Sequence, residues 1–168
     1  MKETPKQYVA RIIKTLGGHQ PMQVQRATAD KLQRLTRGVP RKKLGRRPAP
    51  GKWSATEILA HLAETELVVG WRLRSILNKN GTPIQAFDQD AWAKTSNYAK
   101  QDPKKSLAVF RTLRAENLAL LKSIPKAKWN NYGMHQERGK ESVTRITQLI
   151  AGHDLNHLGQ VARLVGRK

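Results

Sequence analysis

The sequence predicts an all-α protein, a bundle of helices, and three observations carry that expectation. Apolar residues recur at three- and four-residue steps in several long stretches. Gly, Pro and Asn punctuate the chain between those stretches. No run alternates apolar with polar residues far enough to suggest a strand.

Each element follows from local chemistry. Thr4 can cap a first short helix, with Pro5 at its first position, Gln7 as capping-box partner, and Gly17 with Gly18 closing it. Its apolar side, Tyr8, Val9, Ile12, Ile13 and Leu16, must bury either on the chain's own bundle or against a second subunit. A second helix runs from about Pro21 to Thr36 on Val24, Ala27, Leu32 and Leu35, and ends before Gly38 and Pro40. In WSATEI, Ser54 caps a long third helix, Glu57 completes the capping box, and Trp53 with Ile58 suits a hydrophobic staple. That helix should reach about Leu77, where Asn80, Gly81 and Pro83 stop it. Residues 84–101 read as a loop holding one short helix near Asp88 to Lys94. Asp102 and Pro103 start the next helix, whose buried face is Leu107, Phe110, Leu113, Leu118 and Leu121. In YGMHQERGKES, His135 and Glu137 either reach a substrate over the bundle end or belong to a turn closed by Gly133 and Gly139; the turn is the expectation. The last helix runs from about Ser142 to Val165.

Composition bounds what such a bundle can do. A chain of 168 residues with 38% hydrophobic content suits one domain, 1–168, with an N-terminal helix (1–18) and a basic Pro/Gly-rich loop (37–52). No apolar run approaches the roughly 18 to 20 residues that cross a bilayer, so no membrane association is expected, and MKETPKQYVARIIKTLGG is not expected to act as a signal peptide. The absence of Cys excludes disulfides, thiolate ligands and a cysteine nucleophile, and fits a cytoplasmic location. The outlier is charge: 32 Lys plus Arg against 12 Asp plus Glu, a net +20, densest from Arg34 to Lys52. This stretch could bind nucleic acid non-specifically, cover an anionic substrate at a pocket mouth, or be a solvated connection, and the last is the expectation.

The chemistry-bearing residues are histidines. Ile146, Leu149, Ile150, His153, His157, Val161 and Leu164 make one stripe on the last helix, and His153 and His157 lie four residues apart, close enough to hold one cation. The pair alone reads equally as two buried neutral histidines bonded to a carbonyl or to Asn156 or Gln160. A third ligand decides between these, and His61 shares a core-facing strip with Ile58, Leu62, Thr65 and Val69. Three imidazoles leaving one position for water, or for an incoming thiol, match a catalytic zinc site. Glu64, three residues beyond His61, is a candidate for a group beside the ligands or a general base; an exposed helix carboxylate is the other reading.

Residues 47–77 (RPAPGKWSATEILAHLAETELVVGWRLRSIL), the stretch IQAFDQDAW and the terminal GHDLNHLGQVARL resemble the DinB-like (DinB/YfiT) superfamily of bacterial metal-binding bundles. The resemblance implies a four-helix bundle, here with an additional short N-terminal helix, and a divalent metal held by His61, His153 and His157. Zinc is the first expectation, with nickel or iron as alternatives. It also implies a metal-dependent transferase that uses a low-molecular-weight thiol, or a hydrolase, acting on a small molecule, and a homodimer. The competing class is a basic nucleic-acid-binding protein with a structural metal.

Overall fold

The computed structural model describes residues 3–167. Helix α1 (Pro5–Leu16) opens with the Thr4–Gln7 capping box and ends at Gly17. Helix α2 (Pro21–Thr36) begins on its proline, and a four-residue helix α3 (Arg41–Leu44) interrupts the basic stretch. Helix α4 (Ala55–Asn78) starts at the Ser54–Glu57 capping box. After β1 (Thr82–Ile84) and the short α5 (Gln89–Thr95), helix α6 (Pro103–Ser123) begins at Asp102, whose side chain accepts from the Lys104 amide. The strands β2 (Tyr132–His135) and β3 (Gly139–Ser142) lead into α7 (Val143–Val165), capped by Ser142.

Helices α2, α6, α4 and α7 form the four-helix bundle, each touching the next around the ring, and α1 lies along α7. Ile12 and Leu16 of α1 are buried, so its apolar side is covered within its own chain. The approach is close: a Cβ on Gly152 of α7 would stand 2.2 Å from the Ile12 carbonyl oxygen, so glycine is what admits α1 there.

Two apolar clusters fill the bundle, one built on Leu32, Ile58, Leu59, Leu62, Phe110 and Val161, the other on Val69, Leu73, Ile76, Leu121 and Ile146. Truncating a fully buried side chain such as Phe110 should cost about 3–5 kcal/mol. Along α4, α6 and α7 the residues between these clusters include Glu66, Arg114, Asn117, His153 and Asp154, all buried. The bundle therefore carries a polar belt across its middle.

Three strands that the alternation test did not anticipate make a small sheet, with β1 parallel to β2 and β2 antiparallel to β3. They are three or four residues long, too short for a period of two to show. The expected turn around YGMHQERGKES is this β2–β3 hairpin. Gly139 sits at its turn with φ +71°, whereas Gly133 lies inside β2, where a Cβ would collide with Ile84. Among the described residues no helix is long and apolar enough to cross a membrane.

Candidate metal centre

Helix α4 supplies His61 and helix α7 supplies His153 and His157, and all three are buried. Their Nε2 atoms converge: His61 to His153 is 3.0 Å and His153 to His157 is 3.1 Å. The three make up a group whose candidate ligand atoms all lie within 4.8 Å of one another. Two bare imidazole nitrogens repel at such separations unless a proton or a cation lies between them. Burial lowers the pKa of all three rings, that of His157 to about 4 and those of His61 and His153 well below the ordinary value, with neighbouring rings adding to the effect at His61 and His153. At neutral pH they are therefore uncharged, the form that ligates metal.

The tautomer is fixed at one ring. Gln160 Oε1 lies 2.7 Å from His157 Nδ1, so Nδ1–H donates there and the Nε2 lone pair faces the convergence point. His61 Nδ1 and His153 Nδ1 make no hydrogen bond among the described residues. The His61 ring is held by packing: the Trp53 ring is 4.9 Å away and Phe87 stacks on it at 6.4 Å. Thr65 Oγ1 comes within 3.4 Å of His61 Nε2. Trp92 meets Phe87 edge to face at 5.1 Å, so the segment leading into α5 forms one wall beside the imidazoles. His153 and His157 line a cavity of about 590 Å³ whose walls also include Tyr8, Arg11, Trp53 and Gln160. A cavity of that size accommodates a small organic molecule.

Other residues fall elsewhere. Glu64 is half-buried, accepts a 2.6 Å hydrogen bond from the Tyr98 hydroxyl, and lines a separate groove between α4 and α6. Burial and the Glu64 carboxylate both push the Tyr98 pKa up, so Tyr98 remains a donor. The Tyr98 ring packs edge-on to Trp53 at 6.1 Å, which links Glu64 to His61 through two aromatic rings. His135 is buried in β2, and its Nδ1 accepts from the Glu137 amide. Part of the basic stretch is tied to the bundle: Lys43 Nζ donates to the Val165 carbonyl and Arg47 pairs with Glu57.

The sequence reading did not foresee the ionic cluster at the middle of the bundle. Arg114 donates to Asp154 through both terminal nitrogens, at 2.5 and 3.0 Å, to Glu66 at 2.9 Å and to the Gln25 carbonyl at 2.9 Å. Asn117 adds a bond to Glu66 and Thr28 one to Asp154. Burial opposes the charge on Arg114, but the two carboxylates outweigh it and keep the guanidinium protonated. A signal was present: Phe110, Arg114, Asn117 and Leu121 lie on one helical strip, so Arg114 sits at a core position.

Comparison with known proteins places this architecture. A protein of Geobacillus kaustophilus named "Putative metal-dependent hydrolase" is 28% identical over 119 residues, 70% of this chain and 67% of its own length. "Putative metal-dependent hydrolase YfiT" of Bacillus subtilis is 24% identical over 119 residues, 70% of this chain and 66% of its own. The solved structure of that YfiT, described as a probable metal-dependent hydrolase with an unusual four-helix bundle topology, superimposes with a TM-score of 0.79 at 20% identity, covering 88% of this chain and 87% of that one. The family model for the DinB superfamily matches residues 25–161, most of the bundle and all three histidines, and the chain belongs to the DinB superfamily.

Proposed function

We propose that the protein is a metal-dependent hydrolase of a small molecule, with His61, His153 and His157 holding one divalent metal, zinc in the first instance and nickel or iron as alternatives. One observation carries the reading: three neutral, buried imidazoles bring their Nε2 atoms together beside a cavity that His153 and His157 line. Three imidazoles without thiolate suit a catalytic rather than a structural zinc site. Bound there, the metal would polarise a carbonyl or phosphoryl oxygen and lower the pKa of a coordinated water. Gln160 sets the His157 tautomer, while Trp53 and Phe87 pack against His61 and shield its ring from bulk water. The part proposed for Glu64 is positional: it holds Tyr98, which seats Trp53 against His61.

The test has two steps. Metal content is measured on protein purified without an affinity tag, and activated esters and phosphoesters are then offered with and without low-molecular-weight thiols. Turnover without thiol, abolished by chelation and restored by zinc, is the expected result. Turnover only with a thiol would instead make the protein a thiol S-transferase on the same site. If neither appears and duplex DNA binds tightly through moderate salt, the metal is structural and the basic surface is the functional one.

The reading extends to a homodimer. Since α1 is covered by α7, the pairing face proposed is the exposed apolar strip of α4 and α6, with Trp71 74% exposed beside Leu67 and Val109. Charge repulsion at +20 is screened beyond about 8 Å at physiological ionic strength, so association should strengthen with salt. Sedimentation equilibrium showing a mass near 19.0 kDa at every salt concentration would refute it.

A further inference from the structure

The cavity over the imidazoles is donor-rich. Among the described residues its charged lining consists of Arg11 from α1, Lys52 ahead of α4 and Arg163 from α7, against one acid, Asp90 on α5. Two neutral amides complete the pattern. Asn156 Oδ1 accepts from Arg11 Nη1 at 3.3 Å, and Gln160 Oε1 is occupied by His157 Nδ1. With both carbonyl oxygens engaged, what each amide has left to offer is its NH2 group. On α7 the ligands and these donors alternate along one strip, His153, Asn156, His157, Gln160 and Arg163, at spacings of one, three or four residues. A wall of cations and amide donors is satisfied by a ligand rich in anionic oxygen.

We infer that the cavity recognises a small molecule by a carboxylate or phosphate group, bound by Arg11 and Arg163 with the Asn156 and Gln160 amides, with its reactive bond toward the three histidines. The inference rests on the proposed metal site only for where the reacting bond lies. Arg11 and Arg163 both lie outside residues 25–161, the part matched by the family model, and Arg11 is the informative one because it comes from the added helix α1. The chain thus takes a recognition group from α1, and Gly152 holds that helix against α7 immediately before His153. Arg11 is meanwhile paired with Glu3 through Nε and Nη2, at 2.7 and 2.9 Å. Both partners are well exposed, so the pair is weak and an incoming anion can replace the Glu3 carboxylate. Glu3 acts as an internal competitor for the ligand.

The experiment titrates succinate, phenyl phosphate and the neutral succinamide into the full chain. It is done as isolated with metal content measured, and again after chelation, at about 0.15 M ionic strength. The side-chain amide resonances of Asn156 and Gln160 are followed. At least one of the two anions should produce saturable shifts there and succinamide none; which of them does so identifies carboxylate or phosphate as the group. Arg11→Gln and Arg163→Gln should each weaken binding about tenfold, and Glu3→Gln should tighten it about two- to threefold. A tightening of that kind is not expected if Arg11 is merely structural. Equal binding of succinamide, failure of both anions to saturate, or shifts spread over Arg41 to Arg47 would overturn the inference. So would affinity indifferent to Arg11→Gln and Arg163→Gln, since an anion held by metal alone would not respond to either. Zinc bound at the histidines with no anion saturation leaves the metal site standing and removes this inference; anion saturation without metal binding does the reverse.

Discussion

Helix α7 carries two buried polar sites on adjacent residues, and they are built on opposite logic. Asp154 points into a cluster in which Arg114 answers two carboxylates and a carbonyl, Thr28 donates to the Asp154 oxygen that Arg114 Nη1 also reaches, and Asn117 donates to the other Glu66 oxygen. His153 points to an imidazole cluster at a cavity, where Nδ1 of His153 and of His61 stay without partners among the described residues. The first site pairs its charges from within, leaving Arg114 Nε without a hydrogen-bond partner among the described residues. The second is uncharged, incompletely bonded and open on one side. What separates the two is charge compensation and access to a cavity, since burial, polarity and an unpartnered nitrogen are common to both.

The largest test of that contrast removes Arg114. Arg114→Met strands Glu66 and Asp154 in the core and should cost about 3–5 kcal/mol of folding stability by urea denaturation. In metal-free protein His157→Ala should cost clearly less. Equal losses would mean that the imidazoles are as structural as the ion cluster. The next effect runs the other way. Alanine at His61, His153 or His157 should weaken metal binding by at least about a hundredfold, while Arg114→Met, where still folded, retains it; full stoichiometric metal in all three histidine variants would remove the site. Chelation should also lower the melting temperature of the wild-type protein, because a ligand specific to the folded state stabilises it.

Smaller effects sharpen the boundary. Gln160→Leu removes the acceptor of His157 Nδ1–H and should weaken metal binding about tenfold, read by competition with a chromogenic chelator. Acidification addresses the histidines as neutral groups. His135 and His157 both have folded pKa values of about 4, against an ordinary value near 6.5. Between those values the unfolded chain binds more protons than the folded one. Stability of the metal-free protein should therefore fall as pH drops from about 6.5 toward 4, with this contribution levelling off below. His135→Gln should make that slope shallower, and an unchanged slope in thermal melts would show that His135 does not enter folding as a neutral ring.

Much of the scaffold was legible because its signals are local. The capping boxes at Thr4 and Ser54, the proline at Pro21 and the Asp102–Pro103 start need only neighbouring residues, and each opens a helix where the sequence places it. The three histidines were legible because helical period puts each on a core-facing strip. The ion cluster was not, because one core-facing strip through His153 and His157 leaves Asp154, turned about 100° from His153, off that strip. With α1 laid on its outer side, α7 is buried over much more of its circumference, and Asp154 is 0% exposed. The cavity wall was equally hidden: Arg11 and Tyr8 reach it only through the packing of α1 on α7, and nothing in PKQYVARIIKTL alone says where that helix docks.

The seat of α1 on Gly152 also has a kinetic side. The two are separated by most of the chain, so the wall bearing Tyr8 and Arg11 cannot form until α7 has been made. At roughly 5–20 residues per second, α1 waits on the order of 10 to 30 seconds after leaving the ribosome before its partner surface exists. Its Ile12 stays without its α7 neighbour Gly152 for that interval, and closing so long a loop is a slow step in its own right. The proposed recognition wall and two of the three histidines, His153 and His157, thus wait on the same late-made helix.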